Sequence, residues 1–196
     1  VTCCFTNGMA QSNGQIYSNS AGKTDSWVAT DALGRELPTY EQVGDKRTGK
    51  LVGMFYYVWH GYHSNEIYDI TKLLKENPEN PAYGPEGKFH FWGEPEYGYF
   101  NAGDPFVLRH DMQMLANADI DFIFFDVTNN YTYLKTAVFK LCEISLEMRE
   151  QGIRTPEIAF LSNTKSGRVM NELYDELYSK GLYQELWFYW QGKPLV

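Results

Sequence analysis

Polar and aromatic side chains follow three apolar runs of the sequence, at residues 56–61, 125–130 and 160–164. These endings contain Tyr, Trp, His, Asp, Asn and Ser. Tyr and Trp rings stack on the C–H faces of sugars, whereas Asp, Asn and His side chains hydrogen-bond to hydroxyl groups. The combination indicates a carbohydrate cleft rather than a site for phosphate or hydride transfer.

Six residues are the candidates for binding such a ligand. Five of them close the apolar runs and the sixth lies in a long loop: Tyr57, Trp59, His60, Asn129, Asn163 and Trp92. Because Tyr57 and Trp59 alternate along one predicted strand, the alternative is that their face of the strand belongs to the core.

Two carboxylates are the candidates for catalysis. Glycoside hydrolysis uses two carboxyl groups that flank the scissile bond, about 5–5.5 Å apart for retention and about 6.5–9.5 Å apart for inversion. Asp126 closes an apolar strand and Glu94 lies in the long loop at 77–103, so they are the best pair within this chain. The alternatives are an Asx turn at Asp126 and simple solvation of Glu94.

Other kinds of site find less support in the sequence. The four His residues do not cluster with Cys or acidic residues at the spacing of metal ligands, so we expect no metal. No Gly-rich phosphate-binding motif follows an apolar run, so we expect no cofactor. The formal charge of −8 argues against a nucleic-acid partner. No apolar run approaches about 18 residues, so we expect no membrane span.

The elements that would position these residues alternate between strand and helix. Apolar runs predict strands at 51–60, 120–126, 156–161 and from 193 onward, and helical spacing predicts helices at 66–76, after Asp104, at 133–150 and at 169–180. Such alternation predicts a parallel sheet, either an open doubly wound sheet or a (β/α)8 barrel. The lack of phosphate-binding motifs favours the TIM-barrel type. Since a barrel needs about 250 residues, we expect its incomplete N-terminal half, with about three βα units and the start of strand four.

The ends of the chain suggest its organisation. Small residues before Gln11 indicate that residues 1–10 are the remnant of a signal peptide, which predicts a secreted or periplasmic protein; the alternative is a frayed end of a cytosolic one. Residues 11–26 are rich in Ser, Asn and Gly and predict a linker. Residues 27–196 then form the barrel-like domain. Cys142 lies in a helical pattern, so we expect it to be buried.

Four segments, taken in order, resemble the opening half of the endo-α-mannosidase-like glycoside hydrolases of families 71 and 99. They read VGMFYYVWH at 52–60, WGEPEYGYFN at 92–101, DPFVLRH at 104–110 and LANADIDFIFFD at 115–126. The closing QGKPLV at 191–196 is similar to the Gly-Lys-Pro opening of strand four in those families. The resemblance extends over about residues 51–196.

The resemblance implies a secreted, retaining (β/α)8 glycosidase that acts on an oligosaccharide or polysaccharide. It also implies that the principal catalytic carboxylates lie on later strands, past Val196, and that the early strand ends bind substrate. The substrate-binding residues would be Tyr57, Trp59, His60, Trp92, Asp126 and Asn129. The alternatives are a non-catalytic carbohydrate-binding barrel and, with less support, a lyase or deacetylase on the same barrel.

Overall fold

The computed structural model describes residues 3–6, 30–44, 49–60, 67–80, 82–86, 88, 90–128 and 135–196. Four strands form the main sheet in the order β1 (Cys3–Thr6), β2 (Lys50–Tyr56), β3 (Phe122–Asp126) and β4 (Glu157–Leu161). β2, β3 and β4 are parallel, and β1 pairs antiparallel with β2 at the edge. The predicted mixed α/β fold with a parallel sheet is confirmed. The linker predicted at 11–26 lies outside the described residues.

The described helices are short before β3 and longer after it. They are α1 (Tyr40–Val43), α2 (Ile70–Glu76), α3 (Pro105–Asn117), α4 (Lys135–Glu150) and α5 (Ser166–Leu173), with a π-helical turn at Tyr174–Tyr178 and a 3-10 turn at Gln184–Leu186. Asp104 caps α3 as predicted, because its carboxylate accepts hydrogen bonds from the backbone N–H groups of Phe106 and Val107. Gly152 follows α4 with a φ of 78°, the left-handed conformation expected after a helix.

Helices α3 and α4 cover one face of the sheet and bury the larger core. The core takes alternate residues of β3, Ile123 and Phe125, together with Met112 of α3 and Leu141 of α4. Cys142 is fully buried in the same core, as predicted, and burial raises the pKa of its thiol. A thiol in this environment packs as a small apolar group.

The opposite face of the sheet is also apolar and packs on the C-terminal segment. Phe122 stacks on Phe188 with ring centroids 4.0 Å apart, and Trp190 and Leu195 pack around them. Gly53 lies opposite Phe122 in the register, and a Cβ there would lie 2.7 Å from Cε2 of that ring. Only glycine fits at this position, because the aromatic ring occupies the space that a side chain needs.

The C-terminal segment differs from its predicted form. Lys193–Pro194 (β6) pairs antiparallel with Tyr189–Trp190 (β5) in a small hairpin, instead of opening a fourth parallel strand at Lys193. Gln191 and Gly192 connect the two strands with φ values of 50° and 77°, as tight hairpin turns require. The chain meets β4 earlier, where the N–H of Phe188 donates to the carbonyl of Ile158.

Candidate functional site

The carboxyl ends of the three parallel strands lie level with one another. Tyr56 pairs with Phe125, and Asp126 pairs with Leu161 on the other side. Tyr57 therefore follows β2 at the level where Asp126 ends β3. In sheets of parallel strands, ligands bind at this edge. Among the predicted residues, Tyr57 and Asp126 lie at this edge, and Asn163 follows β4 there.

Three aromatic rings of β2 and its extension form a continuous row, which we call the aromatic ladder: Phe55, Tyr57 and Trp59. The centroids of Phe55 and Tyr57 are 4.6 Å apart, and those of Tyr57 and Trp59 are 4.7 Å apart in an edge-to-face arrangement. Phe124 of β3 packs edge-on against Phe55 at 4.9 Å. The side chain of Tyr57 is 55% exposed, so the middle of the ladder presents a ring that a ligand can reach.

Asp126 stands at the end of β3 and takes part in a local turn. Its Oδ1 accepts a hydrogen bond of 2.9 Å from the backbone N–H of Thr128, which is the Asx-turn contact considered from the sequence. The side chain is half-buried. The turn fixes the direction of the carboxylate at the strand end.

The long loop before α3 is packed rather than extended, as its aromatic content predicts. The hydroxyl of Tyr99 accepts from the backbone N–H of Thr71 at 2.9 Å. The hydroxyl of Tyr97 lies 2.8 Å from Nδ1 of His110 on α3. Side-chain contacts to α2 and α3 thus fix the loop beside the strand ends.

His60 joins the end of β2 to this loop. Its imidazole stacks on Phe91, with ring centroids 3.7 Å apart and ring planes 11° apart, and Phe100 packs against it edge-on. Its carbonyl accepts a 2.8 Å hydrogen bond from the N–H of Ala102. Burial lowers the pKa of His60 below its usual value of 6.5, since burial disfavours the charged ring. The folded protein therefore favours the neutral form of the imidazole.

The other predicted residues occupy more exposed positions. Trp92 follows Phe91 in the loop and is 98% exposed. Asn163 is exposed in the turn that precedes α5, where its carbonyl accepts from the N–H of Ser166. Asn129 lies outside the described residues.

The two predicted catalytic carboxylates are not joined by any contact. Glu94 is exposed on the loop and makes no hydrogen bond or ion pair with the described residues. Asp126 has its turn contact at the strand end. Their use as a catalytic pair stays a prediction.

Two features of this region were not predicted from the sequence. Phe55 belongs to the aromatic ladder, and Tyr56 points to the opposite face, where its hydroxyl donates to Oδ2 of Asp111 at 2.7 Å. Burial, together with the charge of Asp111, raises the pKa of Tyr56. Alternation along β2 distinguishes Tyr56 from Tyr57, but its partner lies 55 residues away on α3, and the sequence alone does not pair them.

Metal sites and membrane spans were sought in the described part of the chain. Within it, no group of three or more His, Cys, Asp and Glu side chains has the arrangement needed to hold a metal ion. None of the helices in the same ranges combines the length and apolar character needed to cross a membrane.

Comparisons with protein families, with curated proteins and with solved structures found no match to this chain.

Proposed function

We propose that the carboxyl edge of the sheet binds a glycan, as part of a secreted or periplasmic glycoside hydrolase of the (β/α)8 type. The observation that carries this proposal is the aromatic ladder, in which the exposed Tyr57 lies between two supporting rings and level with Asp126. A rigid, half-exposed ring beside a carboxylate suits a ligand with apolar C–H faces and hydroxyl groups.

The packing of the sheet supports a barrel. Apolar residues occupy both faces of β3, as parallel strands covered on both sides require. Ile123 and Phe125 contact the helical layer, whereas Phe122 and Phe124 face the side without α3 and α4. In a closed barrel the second set would fill the interior.

Several groups at the carboxyl edge of the sheet can orient a sugar. The carboxylate of Asp126 can accept hydrogen bonds from sugar hydroxyls, and Asn163 can donate and accept. The neutral ring of His60 adds an aromatic wall at the end of β2. All three groups follow parallel strands that end at the same edge.

Hydrolysis requires a second carboxyl group at a suitable distance from the first. Asp126 and Glu94 are the candidates within residues 1–196, and the family resemblance places the principal pair on later strands. Accordingly, we expect a protein of residues 1–196 to bind glycans without cleaving them. A non-catalytic carbohydrate-binding barrel is the second candidate, because the ladder alone suffices for binding.

Affinity electrophoresis tests the binding function. The protein is run through gels that contain α-mannan, xylan, β-1,3-glucan or galactan. We expect at least one polymer to retard the wild-type protein and the Tyr57→Ala variant to migrate as in a gel without polymer. Tyr174→Ala is the matched control, because Tyr174 is 62% exposed and lies beyond α5. Equal retardation of wild type and Tyr57→Ala would exclude the ladder as the binding site.

An assay for new reducing ends separates the two candidate functions. The same polymers are incubated with residues 1–196 and with the protein expressed from the complete reading frame. Cleavage by the protein of the complete reading frame supports the hydrolase. Retention in gels without cleavage by either protein supports the binding barrel.

A further inference from the structure

Trp92 is the most exposed large hydrophobic side chain among the described residues. It is 98% exposed and is followed by Gly93, where a Cβ would meet open space. The exposed indole offers a large apolar face to a ligand, because burying an aromatic ring on binding is favourable. An isolated Trp in this setting suits a ligand that covers the ring on binding.

The backbone beside Trp92 is fixed by aromatic contacts. Phe91 stacks on His60 at 3.7 Å and packs against Phe100 and Tyr99 at 5.2 and 5.6 Å. His60 in turn follows Trp59, the last ring of the aromatic ladder. Trp92 thus directly follows a residue that stacks on His60, four residues after the end of β2.

The loop that carries Trp92 is acidic. Between residues 77 and 103 it contains four Glu residues and a single Lys, a formal charge of −3. Glu94 and Glu96, which follow Trp92, are both exposed. Carboxylates this close to the indole repel a polyanion, whereas an uncharged sugar chain has no charge to be repelled.

We propose that Trp92 is an outer platform for an uncharged polysaccharide that also contacts the aromatic ladder. The ligand class is therefore a neutral chain of several sugars rather than a uronate- or sulfate-bearing polymer. This inference rests on the proposed function, since it extends the glycan site from the strand ends onto the loop.

Calorimetric titration of residues 1–196 tests the platform. The probes are the disaccharide and the hexasaccharide of the neutral polymer that retards the protein most strongly in gels. We expect Trp92→Ala to weaken hexasaccharide binding about five- to tenfold, the effect of losing one stacking contact. Disaccharide binding should stay within about twofold of the wild-type value, because the proposal assigns a short ligand to the ladder alone.

Tyr83→Ala is the matched control, since Tyr83 is an exposed aromatic residue of the same loop. It should leave binding of both probes unchanged. Variants of His60, which holds the loop through its stack on Phe91, give a second readout. In His60→Ala, the hexasaccharide should lose its advantage in affinity over the disaccharide. His60→Phe keeps an aromatic ring on Phe91 and should restore that advantage.

Three outcomes would overturn the platform while leaving the glycan site in place. These are unchanged hexasaccharide binding in Trp92→Ala, an equal loss for both probes, and tighter binding of hexagalacturonate than of the neutral hexasaccharide. A wild-type protein that no neutral polymer retards would instead overturn the proposed function, and this inference with it.

Discussion

The imidazole of His60 lies almost flat on the ring of Phe91, with centroids 3.7 Å apart and planes 11° apart. This contact joins the end of β2 to a loop that begins more than 20 residues later in the chain. Through it, the end of the aromatic ladder is joined to the loop that carries the exposed Trp92. If a long glycan binds as proposed, we expect its binding to depend on this stack.

The stack makes stability depend on pH in a defined direction. Burial lowers the pKa of His60 in the folded protein below its unfolded value of 6.5. The folded state therefore favours the neutral ring, and this contribution is complete above pH 6.5 and is lost as pH falls through the folded pKa. In urea denaturation at pH 7 and pH 5, we expect wild type to lose more stability on acidification than His60→Phe. Identical losses of stability in both proteins would show that His60 does not contribute to the pH dependence of stability.

The partly buried hydrogen bond between Tyr56 and Asp111 joins β2 to α3 on the helical side of the sheet. Tyr56→Phe removes the donor and leaves the partly buried carboxylate of Asp111 without it. We expect the free energy of unfolding to fall by about 1–3 kcal/mol. Tyr57→Phe, at the exposed neighbouring position, should change it by less than about 0.5 kcal/mol. Similar effects of the two substitutions would contradict the assignment of the two tyrosines to opposite faces.

The close approach of Gly53 to the Phe122 ring predicts that a residue larger than glycine is not tolerated at position 53. A Cβ at residue 53 would come within 2.7 and 2.8 Å of two carbons of the Phe122 ring. Gly53→Ala should therefore destabilise the protein by about 1–3 kcal/mol through overpacking. Gly93→Ala serves as the control, since its Cβ meets open space. Thermal unfolding measures both, and an unchanged Tm in Gly53→Ala would refute the close packing of this face.

The carboxylate of Asp126 accepts a hydrogen bond within its turn and is also proposed to bind the glycan. A substitution that keeps the turn contact but removes the charge can separate these two roles. Asp126→Asn keeps an oxygen that can accept from the N–H of Thr128, so the turn and the stability should be preserved within about 0.5 kcal/mol. Loss of the charge should weaken glycan binding about three- to tenfold, because hydrogen bonds to charged groups are stronger than those to neutral ones. If Asp126→Asn binds the hexasaccharide as wild type does, Asp126 has only its role in the turn.

The sequence predicted the regular elements better than their contacts. The cap at Asp104 and the left-handed Gly152 are local signals, because the residues that define them are neighbours in the chain. The sequence predicts a parallel strand from residue 193 onward, whereas the structure has a hairpin at 189–194. The turn depends on the positive φ values of Gln191 and Gly192, which the sequence alone does not reveal.

The site was predicted in part for the same reason. Tyr57 and Trp59 follow from alternation along a strand, and the position of Asp126 follows from the apolar run before it. The stack of His60 on Phe91 and the bond of Tyr56 to Asp111 join residues 31 and 55 positions apart. Such pairs depend on the packing of a loop and a helix against the sheet, which periodicity does not encode.

We propose that an uncharged glycan binds on Tyr57 at the carboxyl edge of the sheet. Isothermal titration of the neutral hexasaccharide into wild type and Tyr57→Ala measures this binding. We expect saturable binding at one site in wild type and at least about tenfold weaker binding in Tyr57→Ala. The same Kd in both proteins, or no saturable heat in wild type, would contradict it.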